Sequence, residues 1–190
     1  MSLRRLPMWS GVAAVVVAFA AILGATLLSP TFSWSTSALS DLGVPGTTTA
    51  PLFDGGLLLA GLLGLPFVGW CWTRARNRFE AVGAALLALA LVAMALVGVF
   101  PLHASDLHLP VAVAFYVLLT YGLFVYGTGN ALAGSVRRGL GTLWLGVFHV
   151  SSWLLWAAGV RLGAGLAIPE TVGALLFAAW VLATTPWERR

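Results

Sequence analysis

Two histidines and an aspartate stand close together in the motif His103-x-x-Asp106-x-His108. Two imidazoles and a carboxylate suit a zinc ion with one position open for water, and Asp41 or Asp54 could supply a further ligand. The two histidines lie on different faces of any helix, so only a turn would bring them together. This pattern would make the protein a metal-assisted membrane hydrolase that acts on a lipid or a lipid-linked substrate.

A third histidine, His149, lies within a long apolar run. Ser152, Trp153 and Trp156 follow it at helical spacing, so this stripe is predicted to face the interior of a helix bundle. Haem could be held there if a second histidine met His149 at the same depth on another helix. The other two histidines belong at a membrane interface, so the sequence does not place that second ligand.

A pocket without metal is the third interpretation, and it would bind a lipid headgroup or a small amphiphile. Pairing of aspartate with arginine would satisfy charges that are costly near hydrocarbon. The residues assigned to this pocket are Ser40, Asp41, Asp54, His103, His108, His149, Trp153 and Arg161. The tryptophans of the fifth apolar run would form its floor.

Several of these candidate site residues also have a purely structural interpretation. Asp41 would accept backbone N–H groups at the start of a loop helix. Asp106 would cap the helix that begins near His108. Arg161 would pair with Glu170 at the surface.

The elements that position these groups must be membrane spans. Apolar residues make up 60% of the 190 residues and charged residues only 8%, and the mean hydropathy is +0.97. Only a bilayer can act as solvent for such a chain, so an all-α integral membrane protein with a single domain is predicted. Six runs approach the length of a span: about 8–29, 52–72, 80–100, 109–130, 140–160 and 170–186.

Nine of the ten arginines fall in alternate gaps between these runs. They are Arg4, Arg5, Arg74, Arg76, Arg78, Arg137, Arg138, Arg189 and Arg190. Because arginine near a span stays on the cytoplasmic side, both termini are predicted to be cytoplasmic. Glu80 and Glu188 stand beside these arginines and are their predicted partners, whereas the other acids gather on the opposite face.

The long connection 30–51 is rich in Ser, Thr, Pro and Gly. Its central phrase, Leu39-Ser40-Asp41-Leu42-Gly43, predicts a short re-entrant or interfacial helix capped by Ser37 or Ser40. In the second run, Gly56, Ala60 and Gly64 form a row of small residues that favours close packing within one bundle.

Composition also excludes some classes of function. The basic residues are scattered over short segments, so they indicate membrane lipids and not nucleic acid as a partner. The chain has no lysine and therefore cannot form a retinal Schiff base. It also lacks the Gly-x-Ser-x-Gly motif of a serine hydrolase.

Four phrases resemble a known family: Ser37–Gly43, Leu52–Leu57, Gly98–Pro101 and His108. Their order is similar to that in the prokaryotic six-helix membrane family called domain of unknown function 998, with a fainter likeness to DRAM/FRAG-type membrane proteins. The resemblance implies a fold and a set of positions but no reaction. Asp54 stands where that family is expected to carry asparagine as often, which argues against catalysis by Asp54.

Together these patterns favour a non-enzymatic protein of the cytoplasmic membrane of a prokaryote. It would bind a lipid-like ligand or a partner subunit in an outward-facing polar pocket. The alternatives left open are the zinc hydrolase, a haem protein and a structural subunit of a membrane complex.

Overall fold

The computed structural model describes residues 6–185, which form six long helices and no strand. The helices are α1 (Leu6–Leu28), α2 (Ala50–Thr73), α3 (Arg78–Val99), α4 (His108–Leu132), α5 (Val136–Ala157) and α6 (Ala167–Thr184). All six are long and apolar enough to cross a membrane. The predicted all-α class with six such helices is therefore confirmed. The helix bounds differ most from the predicted runs at α5, which begins at 136 and not at 140.

Some of the predicted features lie outside the described residues. These are Arg4, Arg5, Arg189, Arg190 and Glu188.

The α2–α3 and α4–α5 connections meet at one end of the bundle, which we call the arginine end (Arg74, Arg76, Arg78, Arg137 and Arg138). Nη1 of Arg76 donates a hydrogen bond of 2.8 Å to Oγ of Ser135 across the two connections. Arg76 also forms an ion pair with Glu80, as predicted. The hydrogen bond to Glu80 raises the pKa of Arg76 above its usual value.

The other connections meet at the opposite end, which we call the loop end (residues 29–49, 100–107 and 158–166). The backbone N–H groups of Gly165 and Ala167 donate to the carbonyl oxygens of Ser35 and Ser37, at 3.0 and 2.9 Å. These bonds fasten the long first loop to the start of α6. The loop is thus an ordered cover on the bundle.

A 3₁₀ helix, Leu39–Gly43, lies in the middle of this loop, where a short helix was predicted. Leu42 is only 1% exposed, so the 3₁₀ helix is buried against the ends of the long helices. The predicted serine cap is wrong. Oδ2 of Asp41 accepts the N–H of Ala38 at 2.9 Å, because a carboxylate three residues along the chain reaches that unpaired donor. Oγ of Ser37 instead accepts the N–H of Ser33.

Small residues let the helices approach closely, as the row on α2 predicted. Gly56 lies against Ala21 of α1, and Gly64 lies against Leu91 of α3. Such contacts matter in a bilayer because lipid chains are as apolar as the side chains, and packing must supply the association. The row of small residues on α2 thus serves helix packing within this bundle.

Helix α6 is held by the ring of Trp180, which is 1% exposed. This ring packs against Phe67 of α2 at 5.7 Å and Tyr126 of α4 at 5.4 Å, measured between ring centroids. In contrast, α1 packs mainly against α2 and makes few contacts with α6. The α1–α6 seam is therefore the loosely packed side of the bundle.

Candidate functional site

A cavity of about 90 Å³ lies behind the α1–α6 seam. Its wall comes from α1, α2, α3, α4 and α6, and the 3₁₀ helix closes it at the loop end. The lining residues contributed by α1 include Gly11, Ala18 and Ile22, and those from α6 include Ala174, Phe177 and Val181. Two helices that touch each other little thus form facing walls of one space.

The cavity is long and narrow. On α1 its lining runs from Gly11 to Ile22, and on α6 from Glu170 to Val181. Eleven residues of helix rise about 16 Å, which is about half of the ~30 Å hydrocarbon core of a bilayer. The cavity is therefore about as long as one leaflet is thick, and nearly all of its lining is apolar.

Polar side chains are confined to a few positions in this lining. Glu170 of α6, His108 of α4 and Ser40 of the 3₁₀ helix contribute at the loop end, and Tyr116 contributes from α4. An apolar channel that ends in hydrogen-bonding groups matches the division of an amphiphile into chain and headgroup.

Glu170 is the most constrained of these groups. It is 8% exposed, and its Oε2 accepts the backbone N–H of Leu39 at 2.6 Å. Within residues 6–185 it forms no ion pair, and the predicted pair with Arg161 is wrong. A buried carboxylate normally requires a counter-charge. Among the described residues, the hydrogen-bond partner of the Glu170 carboxylate is a backbone donor, the N–H of Leu39.

His108 is also buried, with 6% exposure. Its Nδ1 lies 2.8 Å from the carbonyl oxygen of Phe100. Because a carbonyl oxygen can only accept, Nδ1 must carry the proton. In the neutral ring, Nε2 is then left as an acceptor. The turn between α3 and α4 thus selects one tautomer of a cavity-lining imidazole.

Seven of the nine predicted site residues lie outside this cavity, and these seven include four acidic or histidine residues at or beside the loop end. Asp41 and Asp106 are exposed, and so is His103, which has a positive φ of 65°. Asp54 is half-buried near the start of α2 and lies against Gly43.

The predicted metal cluster does not form in the described part of the chain. No three side chains of His, Cys, Asp or Glu come together there in a way that could hold a metal ion. His108 turns into the bundle to reach Phe100, whereas His103 is exposed, and this separates the two imidazoles. The predicted N-cap role of Asp106 is wrong as well, because the cap position is Leu107.

His149 is fully buried but does not line the cavity. Its Nδ1 lies 2.7 Å from Oγ1 of Thr120, whose single proton is donated to the carbonyl of Tyr116. Nε2 finds no hydrogen-bond partner among the described residues. It faces Gly173 of α6, where an added Cβ atom would lie only 2.9 Å away. The described structure leaves no space for a porphyrin at this nitrogen.

The predicted tryptophan floor is also wrong. The ring of Trp153 packs on Tyr116, with 4.8 Å between centroids, and Trp156 donates from Nε1 to the carbonyl of Gly165. No residue of α5 lines the cavity, because α4 and α6 lie between α5 and the cavity. The stripe formed by Ser152, Trp153 and Trp156 faces the bundle as predicted. However, it packs behind the residues at the polar end of the cavity and does not line the cavity.

Arg161 lies in a separate, shallower groove between the end of α5 and the start of α6. Its guanidinium carbon lies 5.0 Å from the centre of the Trp156 ring, a cation–π contact. Of the predicted pocket residues, only Ser40 and His108 therefore meet in the cavity, while Trp153 and His149 lie behind it.

Sequence reasoning missed Glu170 and Tyr116 as site residues. A signal for Glu170 exists, since it stands in the first turn of an apolar helix with no arginine three or four positions away. Intramembrane acids of this kind are usually functional. Tyr116 carries no comparable signal, because tyrosines are common in membrane helices.

Comparison with known proteins agrees with the resemblance noted in the sequence. A family described as "Protein of unknown function (DUF998)" matches residues 12–185. No curated protein and no solved structure matches the chain.

Proposed function

We propose that this chain, which belongs to the DUF998 family of membrane proteins, takes up the hydrocarbon chain of an amphiphile in the cavity behind the α1–α6 seam. The observation that carries the proposal is the form of this cavity. It has an apolar body as long as one leaflet is thick, and it has polar groups at one end.

The seam supports entry from the lipid side. Helices α1 and α6 line facing walls of the cavity but make few contacts with each other. An alkyl chain could therefore separate them at a small cost in lost packing. The cavity volume of about 90 Å³ accommodates only a short segment, so a longer chain has to displace side chains at this seam.

The covered loop end supports retention of the ligand. The 3₁₀ helix lies across the polar groups and is fastened to Glu170 through Leu39. This leaves the bilayer as the more direct route to the cavity. The function that fits is binding or sequestering a membrane-dissolved amphiphile.

The test uses dodecanol, whose neutral headgroup isolates the contribution of the chain. Binding is measured by calorimetric titration of the purified protein in phosphatidylcholine nanodiscs, with empty nanodiscs as the baseline. Ala18 lines the cavity, and Ala20, two positions further along α1, is exposed. Ala18→Phe should abolish saturable binding, whereas Ala20→Phe should preserve it.

Two results would contradict the proposal. One is the absence of saturable dodecanol binding by the unmodified protein. The other is equal loss of binding in both phenylalanine variants, which would point to a general effect of the added ring.

A further inference from the structure

Resting on the proposed function, we infer that the ligand is a single-chain amphiphile with a primary ammonium headgroup, bound by Glu170 and His108. Glu170 is the group that calls for a cationic headgroup. Its carboxylate lines the cavity and is buried, and within residues 6–185 no arginine neutralises it. One oxygen, Oε2, already accepts the N–H of Leu39. A cation delivered into the cavity would supply the missing counter-charge.

The acceptors at the polar end of the cavity determine which hydrogen bonds the headgroup must make. Nδ1 of His108 donates to the carbonyl of Phe100, so Nε2 can only accept while the ring is neutral. The carboxylate of Glu170 is likewise an acceptor. Ser40 and Tyr116 carry hydroxyl groups that can act either way. The site therefore requires a ligand that donates several hydrogen bonds, as a primary ammonium group with three N–H bonds does.

The charge of Glu170 also excludes an acidic headgroup. A phosphate or carboxylate would meet the carboxylate of Glu170 in surroundings of low polarity, where like charges repel strongly. The cation nearest in the sequence, Arg161, stacks on Trp156 in a different groove. A zwitterionic phospholipid would bring its phosphate to the same place, so a free long-chain amine is the better match.

The experiment compares headgroups on one chain length. Dodecylammonium, dodecyltrimethylammonium, dodecanol and dodecanoate are each titrated into nanodiscs that contain the protein, with empty nanodiscs as baseline. Dodecylammonium should bind at least about tenfold tighter than dodecanol, because it adds a charge-assisted hydrogen bond. The trimethyl compound should bind less tightly than the primary amine because it has no N–H to donate. Dodecanoate should bind weakest.

Two conservative variants separate the roles of the acceptors. Glu170→Gln keeps an oxygen for the N–H of Leu39 but removes the charge, and it should abolish the preference for ammonium. His108→Asn can still donate to Phe100 but lacks the distal acceptor, and it should weaken dodecylammonium about three- to tenfold. Asp106→Asn removes one charge from an exposed position at the same end and should change nothing.

Each outcome decides between the two proposals. If dodecanol and dodecylammonium bind equally well, the inferred headgroup is wrong and the proposed uptake of a chain stands. If Glu170→Gln keeps the ammonium preference, the assignment of Glu170 is wrong. Equal binding of the primary and the trimethyl amine would overturn the acceptor role of His108. If none of the four probes binds saturably, both proposals fail.

Discussion

The backbone N–H of Leu39 and the carboxylate of Glu170 form a buried hydrogen bond of 2.6 Å between residues 131 positions apart in the chain. This bond joins the cover of the bundle to the first turn of α6. It also fixes the carboxylate at the polar end of the cavity. The same side chain thus contributes to the stability of the loop end and to the chemistry of the candidate site.

Glu170→Ala should lower the stability of the protein, because the N–H of Leu39 would remain buried without an acceptor. The expected loss in the free energy of unfolding is about 1–3 kcal/mol. Glu170→Gln keeps an acceptor oxygen and should cost less than about 1 kcal/mol. Reversible denaturation in detergent micelles measures both. Equal losses in the two variants would show that charge, and not the hydrogen bond, determines the stability.

Gly165→Ala should loosen the cover without unfolding the bundle. An added Cβ atom would collide with the backbone of Ser37, and the contact would strain the bond from Gly165 to Ser35. Amide hydrogen exchange should therefore accelerate in residues 33–43 and remain slow in the cores of the long helices. Gly141→Ala is the matched control, since nothing lies within 4 Å of a Cβ atom there. Unchanged exchange in the loop would argue against a fastened cover.

Arg76→Gln should destabilise the arginine end, because Glu80 is only 3% exposed and would lose its charged partner. A loss of about 1–3 kcal/mol is expected, while Arg78→Gln at an exposed position should stay within about 0.5 kcal/mol. A basic group whose pKa is raised in the folded protein stabilises the fold fully at every pH below the pKa that the group has in the unfolded chain. The difference between the two variants should therefore be the same at pH 7 and pH 9, as thermal unfolding at both values can check. If the difference in stability between the two variants vanished at pH 9, the Arg76–Glu80 ion pair would not be its cause.

The arginine end should face the cytoplasm. Cysteines introduced at Thr73 and Ala104 lie at exposed positions on opposite ends of the bundle, and the native Cys71 is buried. In intact cells a membrane-impermeant maleimide should label Ala104→Cys and leave Thr73→Cys unlabelled until the cells are opened. The reverse pattern would place the loop end, with Glu170 and His108, on the cytoplasmic side.

Part of the architecture was predictable because hydropathy acts locally. A run of about 20 apolar residues must become a helix in lipid, whatever its neighbours do. The six spans, the pairing of Glu80 with an arginine and the short helix at 39–43 all follow from residues near one another in the chain. The resemblance to the family likewise depended on short local phrases and was confirmed over residues 12–185.

The candidate site could not be predicted in the same way. Side chains that face lipid and side chains that face the bundle are equally apolar, so the sequence does not reveal which face of α1 or α6 lines a cavity. Glu170 was expected beside Arg161, nine positions earlier, but it bonds to Leu39, and Arg161 stacks on Trp156. The sequence by itself, through local hydropathy and turn residues, determined which segments cross the membrane and where the chain turns between them. Only the tertiary structure decided which polar groups share a cavity, because that depends on how each helix is rotated against its neighbours.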